Sequence, residues 1–382
     1  MAKKNRVFYG SQVAQIVPAT TGTYFTDWYQ PLGVQSVGLN STFDTQQTFQ
    51  LGALDLYDIS ENVPNVEVTI SKFLDGTSPL YLMCMGGQFG ISGANCTSFE
   101  ADQLVSKGMG ALANNYVDFR LGIYDGVETS SNGLTKDYVQ CPRTFLSRFT
   151  YSFPVEGNAT EEVVLVGNNK NWNQNKAVNA QAIGYVVGDP VQSYMSGYPF
   201  DVYTLTASKL ARRQFIFAST LPTGDGGMPT GVTTHLQNIT ISANLGRENI
   251  VQLGAFAPRT RYATFPIEVT SEFEVVATVG DYVDARDFLS VSGCNINYRN
   301  LKMLPIEITV CGNTGTYENQ GTDASYLSLY LGSGNQLTAV NYNGGDTTGG
   351  NATVTYSFRN YNEFFMKATN IYGSGANLST AP

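Results

Sequence analysis

The sequence is short of charge. Only 14% of its 382 residues are Asp, Glu, Lys or Arg, against roughly 25% in an average soluble domain. The charge it has leans acidic, with a net value of −9. Gripping phosphate takes clustered Lys and Arg, so this composition excludes a conventional nucleic-acid binder. The one basic run, Lys3-Lys4-Asn5-Arg6, is short and terminal and reads as a solvated end. Histidine occurs once, at His235, which leaves zinc without its usual ligand set. The five cysteines (Cys84, Cys96, Cys141, Cys294, Cys311) are odd in number and form no close pair that would ligate metal or exchange electrons. They read as small buried apolar side chains. No apolar run approaches the ~20 residues of a membrane-spanning helix, and none follows the basic start as in a signal peptide. Synthesis in the cytoplasm without a membrane partner is the expectation.

In place of charge stand 39 Gly, 23 Tyr and 21 Phe, with many Asn and Thr. Gly and Asn make turns, and aromatic and β-branched residues fit a half-buried pleated sheet, so a mainly β fold is predicted. The length suggests two or three domains. A repeat points to two. Gln50-Leu51-Gly52-Ala53 returns as Gln252-Leu253-Gly254-Ala255, an offset of 202 between positions 50 and 252. At that offset Gln35 meets Gln237 and Pro64 meets Pro266. Apolar positions also meet: Val37 with Ile239, Leu39 with Ile241, Phe43 with Leu245, Phe49 with Val251. Gly157-Asn158-Ala159-Thr160 recurs at 350–353, an offset of 193 between positions 157 and 350. Loops of different length absorb the change of offset. The expected organisation is a first domain at 1–172 with an N-terminal arm, a connecting segment at 173–212, and a second domain at 213–382 with a C-terminal tail.

A long alternating strand follows the proline in each copy. Val66, Val68 and Ile70 share one face, and Glu67, Thr69 and Ser71 the other. In the second copy Ile267, Val269, Ser271, Phe273 and Val275 oppose Glu268, Thr270, Glu272 and Glu274. Proline at the start of a strand forfeits no ladder bond. Thr97 and Glu100 make a capping box, and Leu104, Val105, Met109 and Leu112 follow at helical spacing, which predicts a flanking helix in the first copy. Each copy is expected to close in a hairpin; the clearer one rises through Leu337–Tyr342, turns at 343–350 and returns to Phe358. That glycine-rich turn lacks the Lys and the helix of a phosphate loop.

Candidate chemistry is sparse. No Gly-x-Ser-x-Gly elbow accompanies His235, which reads as an ordinary surface or interface residue. The carboxylate pairs Glu161/Glu162 and Glu272/Glu274 have the composition of a glycosidase pair. Glu272 and Glu274, however, alternate along one strand face, as on a solvated sheet. The expectation is no enzyme and no cofactor.

Ile239 to Glu248, Leu253-Gly254 and Phe265 to Val275 resemble tail tube proteins of tailed bacteriophages. So do Gly33 to Val37, Pro64 to Ile70 with Leu74-Asp75-Gly76, and the closing Gly349 to Phe358 hairpin. The resemblance covers most of the chain. It implies two tandem β-sandwich or barrel domains with a flanking helix, whose inner strands join those of neighbours in a multi-subunit β-barrel. It also implies a virion structural protein that stacks as rings with other tail proteins and lets DNA through its lumen without specific binding. Single-domain members form hexameric rings; with the domain duplicated, a trimer of pseudo-sixfold symmetry is favoured, with a hexamer as the alternative. On this reading Glu67, Glu268, Glu272 and Glu274 face the lumen, while Val66, Val68, Ile267 and Phe273 pack inside. The same carboxylates facing outward is the alternative. The strands after Pro64 and Pro266 are further expected to offer unpaired edges, so that Val68→Pro or Phe273→Pro blocks polymerisation. A baseplate hub or tail-end protein, and a β-sandwich carbohydrate-binding or hydrolytic protein, remain the other readings.

Overall fold

The computed structural model describes principally residues 7–20, 23–24, 31–74, 79–85, 109–123, 137–173, 213–228, 235–254, 258–278, 291–296, 303–312, 325–345 and 350–369, apart from a few positions within them. The first half contains β1 (Gln12–Thr20), β2 (Thr23–Tyr24), β3 (Val34–Thr42), β4 (Thr45–Phe49), β5 (Leu56–Glu61), β6 (Asn65–Phe73), α1 (Leu80–Cys84), β7 (Tyr116–Ile123), β8 (Asp137–Pro154), β9 (Thr160–Gly167) and β10 (Asn171–Asn173). The second contains β11 (Ile216–Thr220), β12 (Leu236–Asn244), β13 (Arg247–Ile250), β14 (Thr260–Ala263), β15 (Glu268–Val276), β16 (Val291–Ser292), β17 (Asn295–Ile296), β18 (Glu307–Gly312), β19 (Ser325–Tyr330), β20 (Gln336–Asn343), β21 (Thr353–Tyr361) and β22 (Phe365–Thr369). The fold is mainly β and sandwich-like, with large antiparallel sheets.

One run of eight strands organises the molecule, in the order β3-β6-β9-β8-β12-β15-β21-β20. The first four belong to the first half and the last four to the second. They meet where β8 pairs β12. β8 turns a corner within its length. Its N-terminal part pairs β7 and β10, and its C-terminal part pairs β9 and β12. Arg143 sits at that corner with φ 51, a value non-glycine residues rarely adopt. The Asp118 carboxylate accepts its N–H at 2.8 Å. Smaller layers are β2-β1-β7-β8 with β10, and β11-β18-β19-β22.

Alternation buries one face of the long sheet. Val66, Val68 and Ile70, Ile239 and Ile241, Phe273 and Val275, and Tyr356 and Phe358 join one core with Ile308, Val310, Leu327 and Leu329 of the second layer. Ile267 is also buried, just ahead of β15. Phe364, from the second half, lies 4.7 Å from Phe149 and 4.9 Å from Tyr81 of the first. Burying rings this size contributes about 2–3 kcal/mol each, so the halves share cohesion beyond their strand pairing. Below α1 the buried Glu161 carboxylate accepts the N–H groups of Leu80 and Tyr81 at 2.9 Å each, and the Tyr151 hydroxyl. Burial pushes the Glu161 carboxyl up, and Lys72, opposite it on β6, pulls it back.

The duplication reaches the level of hydrogen-bond register. β3–β6 slips one residue between Val34 and Ser36, and β12–β15 between Leu236 and Asn238. β8–β9 slips between Leu146 and Arg148, and β20–β21 between Leu337 and Ala339. The bulged residues of the first pair are the repeated glutamines. The Gln35 side chain donates to the Gly33 carbonyl at 3.1 Å, and that of Gln237 to the His235 carbonyl at 3.2 Å.

Two sequence expectations need correction or placing. β6 and β15, read as edge strands, are interior: β6 lies between β3 and β9, and β15 between β12 and β21. Proline at Val68 or Phe273 breaks the sheet itself, because both sides of each strand are in ladders. The described edges of the run are β3 and β20. The helix expected across Thr97–Leu112 lies outside the described residues except for Met109 and Gly110, as does nearly all of the connecting segment at 173–212.

Candidate functional site: an open polar face and two hairpin arms

The unburied face of the long sheet is built mainly from Ser, Thr, Asn and Glu. One transverse row runs Ser36, Ser71, Glu162, Thr150, Ser242, Thr270, Arg359, Gln336, one residue from each of the eight strands in register. The Ser242 and Thr270 hydroxyls lie 2.8 Å apart across it. Glu67, Glu268, Glu272 and Glu274 all fall on this same face, by strand alternation. Glu272 lies between Thr240 and Ser357, and Glu274 between Asn238 and Thr355. None of these open-face carboxylates pairs across a ladder with another charged residue. The face also carries Glu162 and, as its basic residues, Arg148 and Arg359. Phe145 on β8 and Val164 and Val166 on β9 are buried on it, and Tyr361, opposite Glu268, adds a half-exposed ring. Such a surface is hydrated, acidic and poor in apolar grip.

Glu161 and Glu162 do not form a facing pair. Glu161 points into the core and Glu162 to the open face, so the two cannot flank one bond. His235 is exposed at the start of β12.

Two hairpins extend from the sheet: β4–β5 after β3, and β13–β14 after β12. Their tips are the repeated tetrapeptide. The Ala53 N–H donates to the Gln50 carbonyl at 3.2 Å, closing a turn with Gly52 at φ 85; Gly254 repeats it at φ 83. A turn of this type requires glycine at that position. It makes no demand for leucine, yet Leu51 and Leu253 are fully exposed there, flanked by exposed Phe49, Leu54 and Val251. Gln35, Gln50, Pro64, Gln237, Gln252 and Pro266 thus mark bulges, tips and strand starts. Residues the sequence reading missed hold the second arm down. Arg247 donates to the Leu146 carbonyl at 2.7 Å and also to that of Ala113. Arg261 donates to the Gly167 carbonyl and the Asn65 side chain, each at 3.1 Å, and to Asn168. All five acceptors belong to the first half. Among the described residues the first arm has no such anchor, and β4 and β5 are exposed along their whole length.

No family model matches the chain, and no curated protein matches it. Among solved structures, a chain of the 6-fold symmetrised anti-feeding prophage baseplate is similar at TM-score 0.30 and 10% identity, over 45% of this chain and 99% of its own. A chain of the anti-feeding prophage tube-terminating cap is similar at TM-score 0.28 and 13% identity, over 46% and 95%. A chain from the tail of an empty GTA particle is similar at TM-score 0.24 and 11% identity, over 44% and 96%.

Proposed function

We propose that the chain is a wall subunit of a phage-type tail tube, a virion structural protein without catalytic activity. The observation that carries this reading is the eight-stranded run. It is one four-stranded unit built twice and joined edge to edge, with a polar face outside the core and an open edge at each end. Adding further copies at those edges repeats a heterologous contact, which closes a ring when the rotation allows. Three chains supply six domains, hence the pseudo-sixfold trimer. The polar face then lines the lumen, where Glu67, Glu268, Glu272 and Glu274 repel phosphate and leave DNA free to pass toward ejection. The leucine-tipped arms supply contact between stacked rings. The sequence resemblance gives the phage context.

Electron microscopy of the purified protein tests the proposal. Hollow tubes of indefinite length support a wall subunit. Single rings that do not grow favour a hub or tail-end role, and a monomer with glycan affinity overturns the proposal.

A further inference from the structure

We infer that the joint between neighbouring chains copies the joint inside one chain, in a register and with a lining that the duplication specifies. This rests on the ring-forming reading above. By the shared bulges, β3 is the counterpart of β12, and β20 that of the C-terminal part of β8. Within the chain β8 pairs β12, with Thr150 opposite Ser242. Thr150 also pairs Glu162, and its counterpart Asn341 pairs Thr355, which stands 193 positions beyond Glu162. Ser242 stands 202 positions beyond Asn40. The copied joint therefore sets Asn341 of one chain opposite Asn40 of the next.

An independent observation comes from the arms. Leu245, at the root of the second arm, is 0% exposed and donates its N–H to the Ser147 carbonyl at 2.8 Å. Its counterpart Phe43 is 77% exposed. Arg261 is 6% exposed and bonds Asn168 across the internal joint. The counterparts of that pair are Ile59, 52% exposed, and Tyr361, 46% exposed. A charged and polar contact inside the chain thus corresponds to two largely apolar side chains, each about half exposed in the isolated chain, with the Arg359 guanidinium 5.8 Å over the Tyr361 ring. Both halves of the missing contact lie on this protein, so the occupant is a second copy. Its first arm lies across the end of its neighbour's second half, Phe43 buried at the root and Ile59 against Tyr361.

The test is oxidative cross-linking of the full-length protein under assembly conditions. Directly opposed residues have Cα atoms about 4.5–5.5 Å apart, within disulfide reach. Asn40→Cys with Asn341→Cys should link chain to chain. Asn40→Cys with Asn343→Cys, a diagonal about 7–8 Å apart, should link about 10-fold less. Thr150→Cys with Ser242→Cys is the intrachain control, and the parent with its five native cysteines is the blank. Ile59→Asp should abolish the interchain link while shifting Tm by no more than about 2 °C, since the side chain is exposed in the isolated chain. Ile59→Arg with Tyr361→Asn, which transplants the internal contact, should restore it. Equal linking at both pairs, or preference for the diagonal, overturns the register. Rings seen by microscopy without the Asn40–Asn341 link overturn this inference and leave the ring reading standing. Absence of both rings and links overturns the two together.

Discussion

Charge reversal on the open face tests what that face is for. The perturbation is Glu268→Lys, Glu272→Lys and Glu274→Lys in one chain. Five Glu and two Arg give the face −3 per chain; the variant, with two Glu, two Arg and three Lys, has +3. None of the three positions opposes another charged residue. Glu268 and Glu272 are exposed and Glu274 is half-buried, so substitutions of this kind cost within about 0.5 kcal/mol each at the first two. Tubes should still assemble. A nine-residue strand spans about 30 Å, so one ring faces roughly 18 phosphates of a duplex carrying one charge per ~1.7 Å. A three-chain ring adds nine lysines. If one in three neutralises a phosphate, the slope of log K against log salt is about −2.7, and affinity falls ~40-fold from 50 to 200 mM salt. The assay is co-sedimentation of labelled duplex with tubes, followed by DNase. Parent tubes should retain no duplex. Variant tubes should retain DNase-protected duplex and release it along that salt slope. Retained DNA that DNase digests places the face outside, and no retention at low salt removes the face from the lumen.

Three further outcomes follow from the geometry. Leu51→Asp with Leu253→Asp should leave Tm within about 2 °C, because both side chains are exposed, yet yield single rings in sedimentation; long tubes would contradict an arm-to-ring contact. Glu161→Ala strips the acceptor from Leu80, Tyr81 and Tyr151 and leaves Lys72 buried opposite it. Breaking such a pair costs about 3–5 kcal/mol, or about 4–6 °C of Tm at this size, readable by calorimetry. Arg261→Ala forfeits charge-assisted bonds worth about 1.5–3 kcal/mol each; it should lower the urea midpoint and speed proteolysis in the β13–β14 hairpin, and unchanged cleavage there would refute the anchoring role.

Which residues share a face is legible in the sequence alone. Val66, Val68 and Ile70 alternate with Glu67, Thr69 and Ser71 because one side is core and the other is wet. Alternation does not say which strands are neighbours, so β6 and β15 read as edges although both pair on two sides. The repeated glutamines are visible as letters, but their bulges exist only once two strands are in register. α1 begins after Pro79 with no side-chain cap of its own. The carboxylate that serves its first N–H groups lies 81 residues further on, so no local signal marks it. Arg247 and Arg261 look like surface charge in a polar strand. Their acceptors lie about a hundred residues away in the other half, out of reach of any local pattern. The apolar tips do show in the sequence, inside the very tetrapeptide that reveals the repeat.

The central claim is that two joined copies make one arc of a ring whose polar face lines a channel. A cryo-electron microscopy reconstruction of the assembled protein tests it most directly. The account expects three chains per ring, six similar domains around the axis, and Glu67, Glu268, Glu272 and Glu274 directed at the lumen. Six chains per ring with one copy outside the wall, or these four carboxylates on the outer surface, would contradict it.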